Sequence, residues 1–175
     1  YPVGRRFCCR KGLPMDFQTA DLCDAHEDKV HVVSPMFRSY GGRRAFCGPI
    51  ATLKLFEDNG LVRAAVQSAG NGRVLVIDGG GSMRRALVGD QLALLAVKNG
   101  WSGIVVFGAI RDSRAIGDMD IGVFALATHP QKTLKKNEGD IDVPVCFGGV
   151  TFCPGEWLYA DEDGVIVSTQ PLPTA

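Results

Sequence analysis

The sequence predicts a single α/β domain built on a mixed sheet, and three observations carry that prediction. Val74-Leu75-Val76-Ile77-Asp78 and Ile104-Val105-Val106-Phe107 are continuous apolar, β-branched runs, the pattern of strands buried on both faces. Between them, Asp90 to Asn99 sets Leu92, Leu95, Ala96 and Val97 near helical spacing, with Gly100 as its stop. Strand, helix and strand within about 35 residues form a βαβ unit, hence parallel pairing and a right-handed crossover. In the C-terminal part, short apolar segments are cut by Gly-Gly, Pro-Gly and Asp-Glu-Asp-Gly turns, which predicts antiparallel or mixed pairing.

Taken in order, Thr19 is expected to cap a helix through about Asp28, with Leu22, Cys23 and Ala25 facing inward. An extended region, Val32 to Tyr40, leads to a Gly41-Gly42 turn. Phe46 to Phe56 alternates imperfectly and predicts a strand with Pro49 near its start or edge. Glu57 to Gly60 is a turn, and Leu61 to Ser68 a short amphipathic helix closed by Gly70-Asn71-Gly72. Gly79-Gly80-Gly81 breaks the first core strand. Val123 to Ala127 predicts a third parallel strand, and the polar Gln131 to Asp140 a loop. Further strands are expected at Val143–Phe147, Val150–Cys153, Trp157–Tyr159 and Val165–Ser168. No internal repeat or second domain is visible.

The 175 residues are 46% hydrophobic and 22% charged, which excludes a disordered or collagen-like chain. No stretch approaches the roughly 18 uninterrupted apolar residues of a membrane span. The formal net charge is zero, which argues against a dedicated nucleic-acid binder. That zero sums unlike parts. Residues 1–14 carry Arg5, Arg6, Arg10 and Lys11 and no acid, so from Met15 onward the body is acidic by four charges. The segment lacks the apolar run and cleavage site of a secretory signal. It reads as upstream sequence before a start at Met15, an expression remnant or a basic interaction arm, with residues 15–175 as the one domain. The expected compartment is the cytoplasm. Cys23, Cys47, Cys146 and Cys153 are scattered without a CxxC pair and read as buried thiols. His26, His31 and His129 show no ligand spacing and read as surface or packed histidines. Asp161-Glu162-Asp163-Gly164 reads as a solvated turn, because it lacks the further spaced oxygens of a calcium loop.

Ligands of open α/β sheets bind beyond the carboxyl ends of the parallel strands. The loops Asp78–Gly81 and Gly108–Asp112 occupy that position, and the helix start Gly89-Asp90-Gln91-Leu92 converges on them. The glycine loop is a partial nucleotide or methyltransferase fingerprint. Arg84 stands where a third glycine belongs, and no Gly-Lys-Ser/Thr follows, so a tight turn is the preferred reading. Arg111-Asp112 puts two ionic groups at the sheet edge. Arg can hold a carboxylate bidentately and Asp a hard cation, or the two can form a structural ion pair. The helix start offers unpaired N–H groups and a positive dipole end to an anion. Gly89 permits close approach, while Asp90 is alternatively a simple N-cap.

Asp90, twenty intervening residues and then Arg111-Asp112 resemble the D-x20-R-D pattern of the RraA-like proteins. That family is named for the regulator of ribonuclease E activity A and includes class II 4-hydroxy-4-methyl-2-oxoglutarate aldolases. Thr19-Ala-Asp-Leu-Cys-Asp-Ala, Phe56-Glu-Asp-Asn-Gly, Val74-Leu-Val-Ile-Asp-Gly-Gly-Gly-Ser, Asn99-Gly-Trp-Ser-Gly, Asp120-Ile-Gly-Val and Pro154-Gly-Glu-Trp-Leu-Tyr-Ala-Asp are similar to family segments too. The resemblance implies an α/β sandwich like the swivelling phosphohistidine domain, assembled as a homotrimer or a dimer of trimers. It further implies a small 2-oxo acid substrate bound by Gly89, Asp90, Gln91, Leu92 and Arg111, and a divalent cation, Mg²⁺, on Asp112. Asp90, Arg111 and Asp112 become the catalytic set, with Asp90 orienting water in a proton relay. The implied activity is cleavage of 4-hydroxy-4-methyl-2-oxoglutarate to pyruvate, with oxaloacetate decarboxylation as a side activity. The alternative it carries is a non-catalytic regulator that binds ribonuclease E or a helicase without touching RNA. One departure stands out: Ala115 occupies a position where many aldolase members carry an acid.

Overall fold

A computed structural model describes residues 17–173; the basic segment 1–14 lies outside the described residues. The elements in chain order are α1 (Thr19–Ala25), β1 (Val30–Val32), β2 (Arg38–Ser39), β3 (Phe46–Lys54), α2 (Gly60–Gln67), β4 (Val74–Asp78), β5 (Ala86–Val88), α3 (Asp90–Lys98) and β6 (Gly103–Ile110). There follow α4 (Ser113–Gly117), β7 (Gly122–Thr128), β8 (Asp140–Ile141), β9 (Val145–Phe147), β10 (Val150–Phe152), β11 (Trp157–Asp161) and β12 (Gly164–Ser168). One mixed sheet runs in the order β1-β12-β11-β3-β4-β6-β7-β2, with β5 beside β6 and β8 beside β3. Its centre, β3-β4-β6-β7, is parallel, and every residue of β4 is buried, as its apolar run predicts.

Side-chain alternation divides the core. Leu53, Leu75, Ile77, Val106 and Ile110 face α2 and α3, which contribute Val62, Val66, Leu92, Ala93 and Ala96. On the other face, Val74, Val76, Val105 and Phe124 meet the β9–β10 hairpin through Val145, Phe147 and Phe152. Phe107 stacks on Phe147 with ring centroids 4.7 Å apart. Each such side chain contributes roughly 1.5–3 kcal/mol on full burial, so both layers are held chiefly by apolar area.

Several expectations are corrected by contacts from distant segments. α1 stops at Ala25, where the His26 N–H bonds the Leu22 carbonyl. Thr19 is its first helical residue rather than its cap. Its backbone N–H and hydroxyl both donate to the Asp161 carboxylate, each at 2.6 Å. Asp161 is consequently buried, not part of a solvated turn. The extended region splits into β1 and β2, which pair at opposite ends of the sheet. Within the expected 131–140 loop, Asp140 starts β8 against β3. Of the four thiols, Cys47 alone is buried. Cys146 is exposed and Cys23 and Cys153 are half-buried, because Cys146 lies on the outer face of the hairpin opposite Thr151.

Candidate active site

Beyond the carboxyl ends of the parallel strands, β5 inserts beside β6 and delivers the chain into α3. Val88 pairs with Ile110, and the Arg111 N–H bonds the Val88 carbonyl at 2.9 Å. This fixes the end of β6 against the start of α3, so residues 22 apart in sequence meet. Gly89 is the N-cap of α3 in an extended conformation and Asp90 its first residue, which decides the capping question left open by the sequence. The Asp90 carboxylate bonds the N–H of Gln91 at 2.7 Å. The Asp90 N–H in turn donates to Asp112 Oδ2 at 3.3 Å, and Arg111 Nε lies 3.4 Å from the same oxygen.

Two local features make this convergence possible. Asp112 is left-handed, with φ 55° and ψ 35°, a conformation costing a non-glycine residue roughly 1–2 kcal/mol. A Cβ on Gly89 would lie 2.8 Å from Asp112 Oδ2 and 3.2 Å from Arg111 Nε, so the missing side chain is the space those groups fill. Arg111 and Asp112 are each more than a third exposed, so their pairing adds little stability and leaves both open to solutes. Gly89, Asp90, Gln91, Arg111 and Asp112 are thus brought together. Leu92 joins them through its backbone alone, since its side chain is buried under the sheet. Ala115 is exposed one turn after Asp112, and no acidic side chain stands in its place.

The glycine loop is not a phosphate cradle. The N–H groups of Gly79 and Gly81 both bond the Phe107 carbonyl at 3.1 Å, and that of Gly80 bonds Asp78 Oδ1 at 2.9 Å. With all three donors used, and Gly80 and Gly81 at positive φ, the loop is a tight turn, as its incomplete fingerprint indicates. Beside it, Glu57 accepts from Ser82 Oγ at 2.6 Å and Arg84 Nε at 2.7 Å. These hydrogen bonds hold its carboxyl below the usual carboxylate range.

The sequence pattern of the family described as RraA-like (Aldolase/RraA) matches residues 19–167. The chain is a member of the RraA-like family. A relative from Aromatoleum aromaticum is 68% identical to this RraA-like protein over 158 residues, covering 90% of this chain and 99% of its own. A second, from Dechloromonas aromatica, is 65% identical over 162 residues, 90% of this chain and 99% of its own. Both carry the name "Putative 4-hydroxy-4-methyl-2-oxoglutarate aldolase". Among solved structures, the RNA-processing inhibitor RraA from Thermus thermophilus is 43% identical with a TM-score of 0.88, covering 92% of this chain and 98% of its own. A Geobacillus kaustophilus structure named S-adenosylmethionine: 2-dimethylmenaquinone methyltransferase is 51% identical with a TM-score of 0.88, covering 89% and 97%. One fold therefore carries three functional names, and the site has to discriminate among them. The occupied donors of the glycine loop do not favour a nucleoside cofactor there.

Proposed function

We propose that this RraA-like protein is a divalent-metal-dependent lyase that cleaves 4-hydroxy-4-methyl-2-oxoglutarate to pyruvate and decarboxylates oxaloacetate as a side activity. The observation that carries the reading is the meeting of Arg111, Asp112 and the α3 N-terminus around the space Gly89 leaves open. Arg111 offers a bidentate fork to the 2-oxo carboxylate, and the N-terminal dipole of α3 favours the same negative charge. The Asp90 carboxylate, held by the Gln91 N–H, accepts the C4 hydroxyl proton directly or through one water. The C3–C4 bond then breaks, C4 becomes the carbonyl of one pyruvate, and C3 takes a proton to complete the other. In oxaloacetate the same bond breaks with loss of carbon dioxide.

The donor set suits magnesium. Asp112 is exposed with Oδ1 carrying no bond from a described residue, and no described group of three His, Cys, Asp or Glu side chains is gathered anywhere. Mg²⁺ retains several waters and takes one or two carboxylates, whereas structural or catalytic zinc takes three or four protein ligands. Asp112 would hold the cation, which when bound polarises the 2-oxo group and stabilises the charge developing on it. The protein is further read as a cytoplasmic homotrimer. None of its described helices is long and apolar enough to cross a membrane.

A coupled pyruvate assay with both substrates, with and without EDTA, tests this. Metal-dependent pyruvate from either substrate is the expected result, and its absence from both sinks the lyase. Arg111→Ala and Asp112→Ala are each expected to abolish turnover while the oligomer persists. A second reading, a regulator that binds ribonuclease E or a helicase, is favoured by the 43% identity to a structure named an RNA-processing inhibitor. Co-purification of such a partner supports it, and its consistent absence removes it.

A further inference from the structure

The β9–β10 hairpin carries two thiols that the proposed function does not use. Its register pairs Phe147 with Val150, Cys146 with Thr151 and Val145 with Phe152 around the Gly148-Gly149 loop. Val145, Phe147, Val150 and Phe152 are buried in the core. Side chains alternate faces along a strand, so Cys146 and Thr151 point outward, and both are exposed. Cys153 follows the last of these pairs and is half-buried. It stands on the diagonal from Cys146, two residues past Thr151, a separation that side chains can span. The two thiols do sense one another: burial, then Glu156, then Cys146 push the Cys153 thiol up.

The pair is chemically asymmetric. Cys146 is exposed and Cys153 half-buried, and both are free thiols. The Cys146 sulfur lies 3.2 Å from Thr151 Oγ1, a hydroxyl able to donate to a thiolate. Thiolate character and exposure govern oxidation, so Cys146 is the thiol that meets a solute oxidant. Cys153 stands beside it as the thiol that can complete a second step.

We propose that Cys146 and Cys153 are a redox-active dithiol that hydrogen peroxide closes to a disulfide across the hairpin. The Cys146 thiolate attacks one peroxide oxygen and the O–O bond breaks; the departing hydroxide takes a proton to become water. The Cys153 sulfur then attacks the Cys146 sulfenic acid and the S–O bond breaks. The Cys153 proton leaves with that hydroxide as a second water. Two thiols thereby lose two electrons, and one peroxide is reduced to two waters. The proposal is independent of the lyase reading.

No Lys or Arg follows Lys136, so trypsin releases both cysteines in the single peptide 137–175. The full chain is treated with hydrogen peroxide, alkylated in denaturant and mapped by mass spectrometry. The peptide is expected to be two hydrogens lighter and alkylated at neither cysteine, until dithiothreitol restores both. Cys153→Ser is expected to leave Cys146 as a sulfenic acid that dimedone captures, and Cys146→Ser to leave Cys153 a thiol. Wild type still alkylated at both positions overturns the proposal, as does Cys146 joined to another cysteine or to a second chain. Closure is also measured at equilibrium in glutathione redox buffers, for folded protein and in urea. The closure constant is expected to be about tenfold larger in the folded protein, where the hairpin holds the thiols together. Equal constants would mean that spacing along the chain alone brings them together, and the proposal falls.

Discussion

Gly89 and Asp112 show how closely this site is set by single residues. A methyl group at Gly89 would displace the Asp112 carboxylate and the Arg111 guanidinium together. Gly89→Ala should cost about 100-fold in kcat/KM, as small misplacements of positioned groups do, while the melting midpoint moves by less than about 4 °C. Loss of fold instead of activity would show that the glycine serves packing. Arg111→Lys keeps the charge but loses the planar fork; the expected result is a KM raised about tenfold, read in the pyruvate assay. Ala115 faces solvent one turn beyond Asp112. Ala115→Glu should lower the Mg²⁺ concentration needed for half-maximal activity, because a second carboxylate then adjoins the first.

At the scale of elements, Asp58 ties the β3–α2 turn to the segment that precedes β8. Its carboxylate accepts from the N–H of Gly60 at 2.8 Å, Lys136 at 2.9 Å and Glu138 at 3.1 Å. Burial alone would raise its pKa, but the backbone donors outweigh burial and hold it below the usual value. A carboxyl whose folded pKa is depressed stabilises the fold above its unfolded pKa, about 3.9, and loses that stabilisation as pH falls through the folded value. Asp58→Asn should therefore cost about 2 kcal/mol at pH 7 in chemical denaturation. The gap to wild type should stay constant down to about pH 5 and close below about pH 4. A gap that persists in acid would assign the effect to packing rather than to charge. The sequence shows Asp58 as one of four turn residues and offers no sign that it is buried, since two of its three partners, Lys136 and Glu138, lie 78 and 80 positions away.

For the whole molecule, the proposed trimer needs an apolar surface to bury, and three exposed side chains offer one. Phe56, Met83 and Leu134 are each more than half exposed. Phe56 lies against Gly80 and under the Arg84 guanidinium, and Leu134 bridges to Asp58, so the three border the same carboxyl edge as the site. Light scattering is expected to report three chain masses. Phe56→Asp and Met83→Asp, which put charge on that surface, should shift the protein toward monomer if this edge is an interface. A monomeric wild type would remove the trimer from the reading.

Periodicity and turn chemistry act over a few residues, and what depends on them is legible in the chain. This holds for the buried runs of β4 and β6, the α3 pattern with its glycine stop, and the two loops that must end at the sheet's carboxyl edge. It holds as well for Asp90, Arg111 and Asp112 as the chemical candidates. Other features come from backbone pairing between distant segments. Thr19 meets Asp161 across 142 positions, the 32–40 region divides between opposite sheet edges, and β5 docks beside β6. Such pairings leave no local signature, because the hydrogen bonds that select them run between main-chain groups common to almost every residue. The sequence by itself determined which groups are the candidates for the chemistry. Tertiary structure decided which of them meet, because register and burial exist only once the sheet has formed.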